Sequence, residues 1–489
     1  MMTGSTRKGR RPALRVAAIV ASLATIVALT QTATRPTRAA PASAARPATT
    51  TAPNIAIILS DDQRWDTLTT PDGTVAMPNV KSMLQDHGVT FENAYIPVTI
   101  CCPSRTSILT GNYSHTTGVY LNGNNKYGGW QAFNAHGEES STIATWLHDA
   151  GYETGLIGKY LNGYDASTLY VPPGWDRWFA LQGERGGYYN YSVLDQDHLV
   201  SYGSNASDYS TYVFGQQAVD FINSVPSDKP LFLYLAPHAP HGPVQAPPDH
   251  QTEFADLPPW DVPSSNEADV SDKPQYIQQL PLIPKYGPMF RIDQYRADLG
   301  IDDVVGDVVN TLAADGRLGN TMIMYLTDNG LTWNEHRLKN TKYTPYEEPS
   351  RIPLVIRYDP LTATPLQDTH PVLNIDLAPT IASVAGVPFP STEGSDLRPL
   401  LDGTATTWRT KFLIEHFRGV APPYCGVHTA SFMYVAYETH EEELYDLSAD
   451  PYELQNVATD PNYLSVLLRM RRQMAQLCSP PPPGFDFFP

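Results

Sequence analysis

The sequence predicts an α/β protein with a large, mostly parallel sheet sandwiched by helices, followed by a small C-terminal antiparallel sheet plus helix. Short apolar runs, which are typical of buried strands, alternate with helix-like stretches such as 141–150 and 302–314. Several of these runs end abruptly in acidic, histidine or lysine residues. After roughly residue 385, the pattern changes to short strand-like runs and a terminal helix. Strands that alternate with helices indicate a parallel sheet covered on both faces.

The predicted core strands share a polar residue just beyond the carboxyl end. They are 55–59 before Asp61 and Asp62, 154–157 before Lys159, 231–235 before His238 and His241, and 322–326 before Asp328 and Asn329. Taken singly, Asp61-Asp62 is more often a turn or a helix N-cap, and Asp-Asn-Gly at 328–330 is more often a turn. In parallel sheets, however, ligands bind beyond the carboxyl ends of the strands. Four such ends together therefore predict a single site.

Two segments between the predicted elements are harder to interpret. Residues 180–213 are rich in Tyr, Gly and Ser, and residues 242–292 are rich in Pro and polar residues. Both predict long ordered loops, because aromatics and prolines are interspersed throughout. Such loops set specificity when they cover the mouth of a sheet, and a structural Tyr-rich surface is the alternative.

The C-terminal part predicts a separate, smaller unit. The runs 411–414, 432–437 and 443–447 are strand-like, and a helix is predicted from about 463 to 477. We therefore expect three divisions of the chain, which are a leader over 1–50, a main α/β domain over 51–385 and an α+β subdomain over 386–489.

The N-terminal 50 residues predict export. Five Lys and Arg residues precede an apolar run at 16–30, which a Thr/Ala/Pro/Arg-rich stretch follows. This pattern is typical of a signal peptide with a flexible leader, so we expect a secreted or periplasmic protein without stable membrane contact after processing. The run is shorter than the roughly 20 residues of a spanning helix, which makes an uncleaved anchor the weaker alternative.

The most informative stretch is 101–111, Cys-Cys-Pro-Ser-Arg-Thr-Ser-Ile-Leu-Thr-Gly. It places a thiol at a predicted helix N-terminus with an arginine one turn later. Backbone N–H groups and the helix dipole favour a bound anion there. The alternative is a buried Cys pair before an ordinary amphipathic helix.

This string resembles the sulfatase signature Cys-x-Pro-Ser-Arg followed by Leu-Thr-Gly. The segment 443–453 resembles the closing Glu-Leu-Tyr-Asp-Leu…Asp-Pro-x-Glu of the same family, so the resemblance runs from about residue 52 to 460. Gly-Lys-Tyr-Leu-Asn at 158–162 resembles the branch that contains N-acetylglucosamine-6-sulfatases and heparan endosulfatases, and the chain as a whole resembles arylsulfatases and N-acetylglucosamine-6-sulfatases. The resemblance implies an alkaline-phosphatase-like fold and hydrolysis of sulfate monoesters. It also implies that a maturation enzyme oxidises Cys101 to formylglycine (3-oxoalanine), whose hydrate is the nucleophile.

A metal site is predicted beside that nucleophile. Asp61, Asp62, Asp328 and Asn329 offer only oxygen ligands, which select Ca²⁺ or Mg²⁺ over Zn²⁺. The resemblance favours Ca²⁺, with residue 101 completing the ligand set. It also makes Asp328 the group that accepts a proton from the hydrate.

Fixed cations are predicted around the sulfate. The resemblance places Arg105, Lys159, His241 and Lys342 there, where they would oppose the charge that spreads over the sulfate oxygens. His241 or Lys342 would protonate the leaving oxygen.

One position departs from the family pattern. Many sulfatases carry a His two residues after the Lys, where this chain has Leu161. The base for the second half of the reaction is therefore unassigned. Asn162 is a structural substitute for the missing His, and His115 and His238 are the candidate bases.

The remaining cysteines predict one disulfide. In an oxidising compartment Cys425 and Cys478 are the candidate pair, which would join the Pro-rich C-terminus to the second domain. Pairing cannot be derived from sequence alone. Cys102 would then be a small buried hydrophobe.

The charge of the chain excludes some partners. The formal net charge is −18, and residues 1–46 hold eight Lys and Arg and no acid, so their removal takes −18 to −26. So acidic a protein repels nucleic acid and anionic membranes, which favours a small sulfated substrate. The charge favours an aryl sulfate and the branch resemblance favours a sulfated sugar. The alternatives are a formylglycine-dependent phosphonate monoester or phosphodiester hydrolase, and a non-catalytic sulfate-binding protein.

Overall fold

The computed structural model describes residues 52–183, 187–283, 288–362 and 364–489. The predicted signal peptide and leader at 1–50 lie outside these ranges. The strands are β1 (Asn54–Ser60), β2 (Val89–Tyr95), β3 (Glu153–Gly158), β4 (Arg177–Leu181), β5 (Ser192–Asp195), β6 (His198–Ser201), β7 (Leu231–Ala236), β8 (Thr321–Thr327), β9 (Arg351–Arg357), β10 (Leu366–Asp368), β11 (Val372–Leu373), β12 (Lys411–His416), β13 (Tyr424–Thr429), β14 (Phe432–Tyr437) and β15 (Glu442–Asp446).

The α-helices are α1 (Cys101–Thr110), α2 (Ser114–Thr117), α3 (Gly129–Ala135), α4 (Ile143–Asp149), α5 (Ser210–Ser224), α6 (Gln275–Gln278), α7 (Met289–Ala314), α8 (Glu347–Ser350), α9 (Leu377–Ala385), α10 (Arg398–Leu401) and α11 (Leu464–Leu477). Among the helices of the described ranges, none combines the length and the apolar character that crossing a membrane requires.

The large sheet is mostly parallel, as predicted. Its strand order is β10-β2-β9-β8-β1-β7-β3-β4-β5-β6, and β11 also pairs with β2. The five neighbouring strands β8, β1, β7, β3 and β4 all run parallel. Since parallel strands end at the same edge of a sheet, the polar residues after β8, β1, β7 and β3 are brought together.

The central strands are apolar because both faces of the sheet are covered. Ile55, Ile57 and Leu59 of β1 belong to the core on one face, which α1, α4 and α9 cover. Ala56 and Ile58 belong to the core on the other face, which α5 and α7 cover. Strands buried on both faces are continuous apolar runs rather than alternating ones, which explains why the sequence pattern identified them.

The small sheet is antiparallel, with the order β12-β13-β14-β15. Helix α11 covers one face, where Met470 and Met474 pack on β13 and β14. The other face packs against Tyr95 and Tyr346 of the larger part. The predicted antiparallel sheet with a terminal helix is confirmed, and the division of the chain at residue 385 stays a prediction.

The structure joins Cys425 and Cys478 in a disulfide, with their Cα atoms 6.2 Å apart. The bond connects β13 to the residue that follows α11. Cys102, the second residue of α1, is buried in the core, as the prediction of a small buried hydrophobe requires.

The prediction of a long loop over 180–213 is wrong. Strands β5 and β6 form a hairpin that extends the large sheet, and α5 begins at Ser210. Tyr188, Tyr191 and Tyr209 are buried in the core under α5 rather than exposed around the mouth of the sheet. The three tyrosines are therefore core residues. The Gly and Ser residues near them are typical of loops, so the sequence pattern did not indicate the strands β5 and β6. Strand β13 was also not predicted.

The end of β3 requires a glycine. Gly158 has a φ of +110°, which residues with a side chain rarely adopt. A Cβ atom at this position would also overlap the carbonyl oxygen of Ala236 on the neighbouring strand β7. The same oxygen accepts a hydrogen bond of 2.7 Å from the Lys159 N–H. Gly158 therefore lets the chain turn sharply at the sheet edge.

We expect Gly158→Ala to destabilise the protein by more than the roughly 1–3 kcal/mol that a strained backbone costs, because overlap with β7 adds to the strain. Urea denaturation measures the loss. Gly137→Ala is the matched control, since Gly137 has a φ of +82° with open space around it, so only the conformational cost of about 1–2 kcal/mol applies. Equal losses in the two variants would contradict the role of the close contact.

Candidate active site

Four strand ends place their polar residues at one edge of the large sheet. Asp61 and Asp62 follow β1, Lys159 follows β3, His238 and His241 follow β7, and Asp328 and Asn329 follow β8. Backbone hydrogen bonds tie these ends together. The Asp328 N–H donates to the Ser60 carbonyl at 3.1 Å, and the Asp61 N–H donates to the Ala239 carbonyl at 3.0 Å. The sheet register thus sets the spacing of the site.

Cys101 begins α1 and lies among these strand ends. Ile100 before it is extended, and Cys101 is fully buried. Its Sγ lies 3.6 Å from Asp61 Oδ1 and 4.0 Å from Asp62 Oδ1, and it accepts a hydrogen bond of 2.9 Å from the Lys342 Nζ. Burial raises the pKa of the Cys101 thiol. An unmodified thiol here is neutral and a poor nucleophile.

Three buried carboxylates are each paired with a cation. Lys159 Nζ donates to Asp61 Oδ2 at 2.6 Å. Lys342 Nζ donates to Asp62 Oδ1 at 2.6 Å. Arg105, one turn after Cys101 on α1, donates from Nε to Asp328 Oδ2 at 2.7 Å. These three carboxylates and three cations balance in formal charge.

The surroundings shift the pKa values of the three aspartates in different directions. Burial opposes ionisation of Asp61, but Lys159 and the surrounding cations hold its pKa well below its usual range. Lys342 likewise lowers the pKa of Asp62 against the effect of burial. Burial and the charge of Asp61 raise the pKa of Asp328, despite the nearby Arg105. Asp328 is therefore the carboxylate of the three that most readily takes up a proton.

Besides His238 Nδ1, two buried polar atoms of the strand ends and α1 have no hydrogen-bond partner in the described part of the chain, and they are Asn329 Oδ1 and Arg105 Nη2. The Asn329 amide nitrogen donates to Asp62 Oδ1 at 2.6 Å and to the Gly330 carbonyl at 2.9 Å. Buried polar groups are nearly always satisfied, so both atoms indicate partners that the protein does not supply. The oxygen of Asn329 suits a hard cation, and the N–H of Arg105 suits an anionic oxygen.

The two histidines after β7 have different surroundings. His241 is one-quarter exposed, and its Nε2 lies 3.5 Å from Asp62 Oδ2. His238 is buried, with Nδ1 3.6 Å from Asp61 Oδ2. Burial and the neighbouring His241 lower the pKa of His238 to about 3. Near neutral pH, His238 is therefore uncharged.

The structure brings together the predicted site residues that follow the strands and those on α1. Lys342, which was also predicted, reaches them from the segment between β8 and α8. His115 lies outside this group: its Nδ1 is 3.2 Å from Glu415 Oε1, and its Nε2 is 3.1 Å from Glu393 Oε1. Although burial alone lowers it, these hydrogen bonds raise the pKa of His115 to about 10, so it is not a base at neutral pH. Leu161 lies in the core. Asn162 is buried, and its carbonyl accepts from the Trp130 N–H at 2.7 Å.

Two supporting residues were not predicted. Asn122 Oδ1 accepts a hydrogen bond of 2.9 Å from the Cys102 N–H in the first turn of α1. The Tyr188 hydroxyl donates to the His241 carbonyl at 3.0 Å. Neither residue carries a local signal in the sequence, because each acts through a contact distant along the chain.

Comparison with known proteins matches most of the described chain to one family. The sulfatase family model matches residues 53–387, and the model of the C-terminal part of N-sulphoglucosamine sulphohydrolase matches residues 334–479. N-acetylglucosamine-6-sulfatase of Capra hircus is 32% identical over 89% of this chain and 87% of its own length. Arylsulfatase of Chlamydomonas reinhardtii is 31% identical over 86% of this chain and 73% of its own length.

A solved structure with the same fold was obtained in complex with its substrate, D-glucosamine-2-N,6-O-disulfate. It superposes with a TM-score of 0.75 and is 23% identical in sequence. The match covers 88% of this chain and 98% of that one.

We expect Arg105→Met to lower the free energy of unfolding by about 3–5 kcal/mol, because it leaves the buried carboxylate of Asp328 without its cation. The double variant Arg105→Met/Asp328→Asn should lose less, since no uncompensated charge remains. Urea denaturation in a chelator-containing buffer measures both, and Asp328→Asn completes the cycle. A single Arg105→Met variant as stable as the wild type would show that the pair does not stabilise the fold.

Proposed function

This chain belongs to the sulfatase family and is a sulfuric ester hydrolase, and we propose that it cleaves sulfate monoesters through a formylglycine formed from Cys101 beside a bound Ca²⁺. The observation that carries the proposal is the buried constellation around Cys101. A helix N-terminus, three carboxylates and three fixed cations converge on one side chain, which as a thiol is a poor nucleophile.

The residues fit a calcium ion. Asp61, Asp62, Asp328 and Asn329 would hold it together with residue 101, and Asn329 Oδ1 is buried without a donor in the described part of the chain. The four protein side chains offer only oxygen donors, the class that Ca²⁺ prefers, whereas Mg²⁺ usually keeps several waters. When bound, the cation would withdraw charge from a sulfate oxygen and favour the ionised nucleophile.

The charge balance supports an anionic substrate. Asp61, Asp62 and Asp328 cancel Lys159, Lys342 and Arg105, so a divalent cation added to this set leaves a net charge of about +2. A sulfate monoester carries one negative charge and is attracted by this excess. Arg105 Nη2 has no hydrogen-bond partner among the described residues, and it offers a donor to a sulfate oxygen.

The protonation roles follow from the surroundings of each group. Asp328, whose pKa burial and Asp61 raise, would hold the proton taken from the nucleophile. His241 is one-quarter exposed and lies on the open side of the site, so it would protonate the leaving oxygen. Lys342 bonds to both Asp62 and Cys101 on the inner side. His238 is the better placed of the two candidate bases for the second half-reaction.

The substrate we propose is a small sulfated sugar or aryl sulfate. Relatives named N-acetylglucosamine-6-sulfatase and arylsulfatase align over most of the chain. The acidic charge of the protein opposes long polyanions. The Cys425–Cys478 disulfide supports an oxidising compartment and therefore export, before which a maturation enzyme would convert Cys101.

Mass spectrometry of the peptide that contains residue 101 tests the mechanism. In active protein we expect the mass of formylglycine in place of cysteine, and Cys101→Ala should abolish hydrolysis of an aryl sulfate. Cys102→Ala is the matched control and should keep activity. An unmodified thiol in fully active protein would refute the mechanism. Faster turnover of an aryl phosphonate than of the aryl sulfate would favour the phosphonate hydrolase alternative.

We expect His241→Gln to slow hydrolysis of a sugar sulfate by about 10²–10⁴-fold, because an alcohol leaves poorly without a proton. A nitrophenyl sulfate should lose much less, since nitrophenolate leaves without protonation. Measuring kcat for both substrates in His241→Gln and in Lys342→Met assigns the acid. A larger difference between the two substrates in Lys342→Met would transfer that role to Lys342.

A further inference from the structure

A second group of potential metal ligands lies apart from the residues around Cys101. His336 lies in the segment between β8 and α8, Glu348 lies in α8, and Glu453 lies in the segment after β15. One ligand atom from each residue lies within 4.8 Å of those of the other two. The three residues are 0%, 8% and 1% exposed.

Each of the three residues has one buried atom without a hydrogen-bond partner within the described ranges. His336 Nε2, Glu348 Oε2 and Glu453 Oε1 are buried and make no hydrogen bond there. Neither Glu348 nor Glu453 forms an ion pair with a described residue, although the other oxygen of Glu453 accepts from the Glu347 N–H at 3.1 Å. Two buried carboxylates this close together are costly unless their charge is neutralised, and a bound metal ion is one way to neutralise it.

The imidazole of His336 is oriented as in a metal ligand. Its Nδ1 bonds to Glu267 Oε2 at 2.6 Å, and its ring stacks on Tyr346 with the centroids 4.2 Å apart. Since Nδ1–H donates to a carboxylate, Nε2 carries the free lone pair. Metal-bound histidines typically donate their second N–H to a carboxylate in this way, which fixes the tautomer and the ring orientation.

We propose that His336, Glu348 and Glu453 bind a second divalent cation, of the Zn²⁺ class. One imidazole nitrogen and two carboxylates form a ligand set that suits Zn²⁺, whereas the oxygen donors around Cys101 suit Ca²⁺. Two positive charges also neutralise the two carboxylates that lack an ion pair in the described part of the chain.

The cation would connect the segment that carries Lys342 to the C-terminal part of the chain. His336 and Glu348 flank the stretch that carries Lys342, and Glu453 belongs to the C-terminal segment. The Gly330 N–H, next to Asn329, donates to the Pro349 carbonyl beside Glu348 at 3.0 Å. A cation at this point would therefore position the segment that delivers Lys342, without touching the substrate.

Zinc binding by the full-length protein tests this site. After chelator treatment, the wild type in excess Ca²⁺ should take up one Zn²⁺ per chain and melt at a higher temperature with Zn²⁺ than without it. Glu453→Gln and His336→Gln should weaken Zn²⁺ binding at least tenfold, because loss of an outer-shell partner alone costs roughly 10–100-fold. Titration calorimetry and elemental analysis provide the measurements.

Glu443→Gln is the matched control, because Glu443 is a buried glutamate of β15, close in sequence to Glu453. Its oxygens already accept hydrogen bonds from the hydroxyls of Tyr346, Tyr437 and Tyr445. It should bind Zn²⁺ as the wild type does, and so should Asp62→Asn, which alters only the candidate calcium site.

If the ligand variants fail to fold, X-ray absorption of the zinc complexes of the wild type and of His241→Gln decides the question without them, because His241 is the imidazole of the ligand group around Cys101. One imidazole nitrogen with carboxylate oxygens supports the site. No zinc uptake by the wild type, a zinc spectrum without imidazole, or normal binding by Glu453→Gln overturns it.

Discussion

The architecture around Cys101 depends on keeping three aspartates charged inside a protein. Each ion removed from water costs roughly several kcal/mol, and only close pairing with an opposite charge recovers that cost. Asp61, Asp62 and Asp328 obtain this from Lys159, Lys342 and Arg105, which come from a strand end, a loop and a helix. The sheet, α1 and the segment before α8 must therefore all be in place for the three pairs to form together.

The parallel sheet makes such pairing practical. Neighbouring strands with the same direction end at the same edge, so residues far apart in the chain meet without long connecting loops. The paired register of β1 and β8 sets Asp61 beside Asp328, and Gly158 lets β3 turn close enough to β7 for Lys159 to reach Asp61. The hydrogen-bonded sheet thus fixes the spacing of the site residues that follow its strands.

Much of this could be predicted because strands buried on both faces are apolar without interruption, so the polar residues that end them stand out. The sequence therefore indicated Asp61, Lys159 and Asn329 correctly as neighbours. Lys342 carries no such signal, since it lies in an irregular segment, and only the family resemblance identified it. The hairpin of β5 and β6 was missed because buried tyrosines among glycines look like loop residues. The cluster at His336 was missed because its members come from three separate segments, and only the folded chain unites them.

The burial of Cys101 also limits when this residue can be modified. The side chain is fully enclosed, and the whole of α1 around it is buried, so no modifying enzyme can reach it once the domain has formed. On the mechanism proposed above, conversion and folding therefore compete during synthesis. A chain that folds first is trapped with an inert thiol. The specific activity of a preparation would then record the outcome of that competition, and later exposure to the maturation enzyme could not change it.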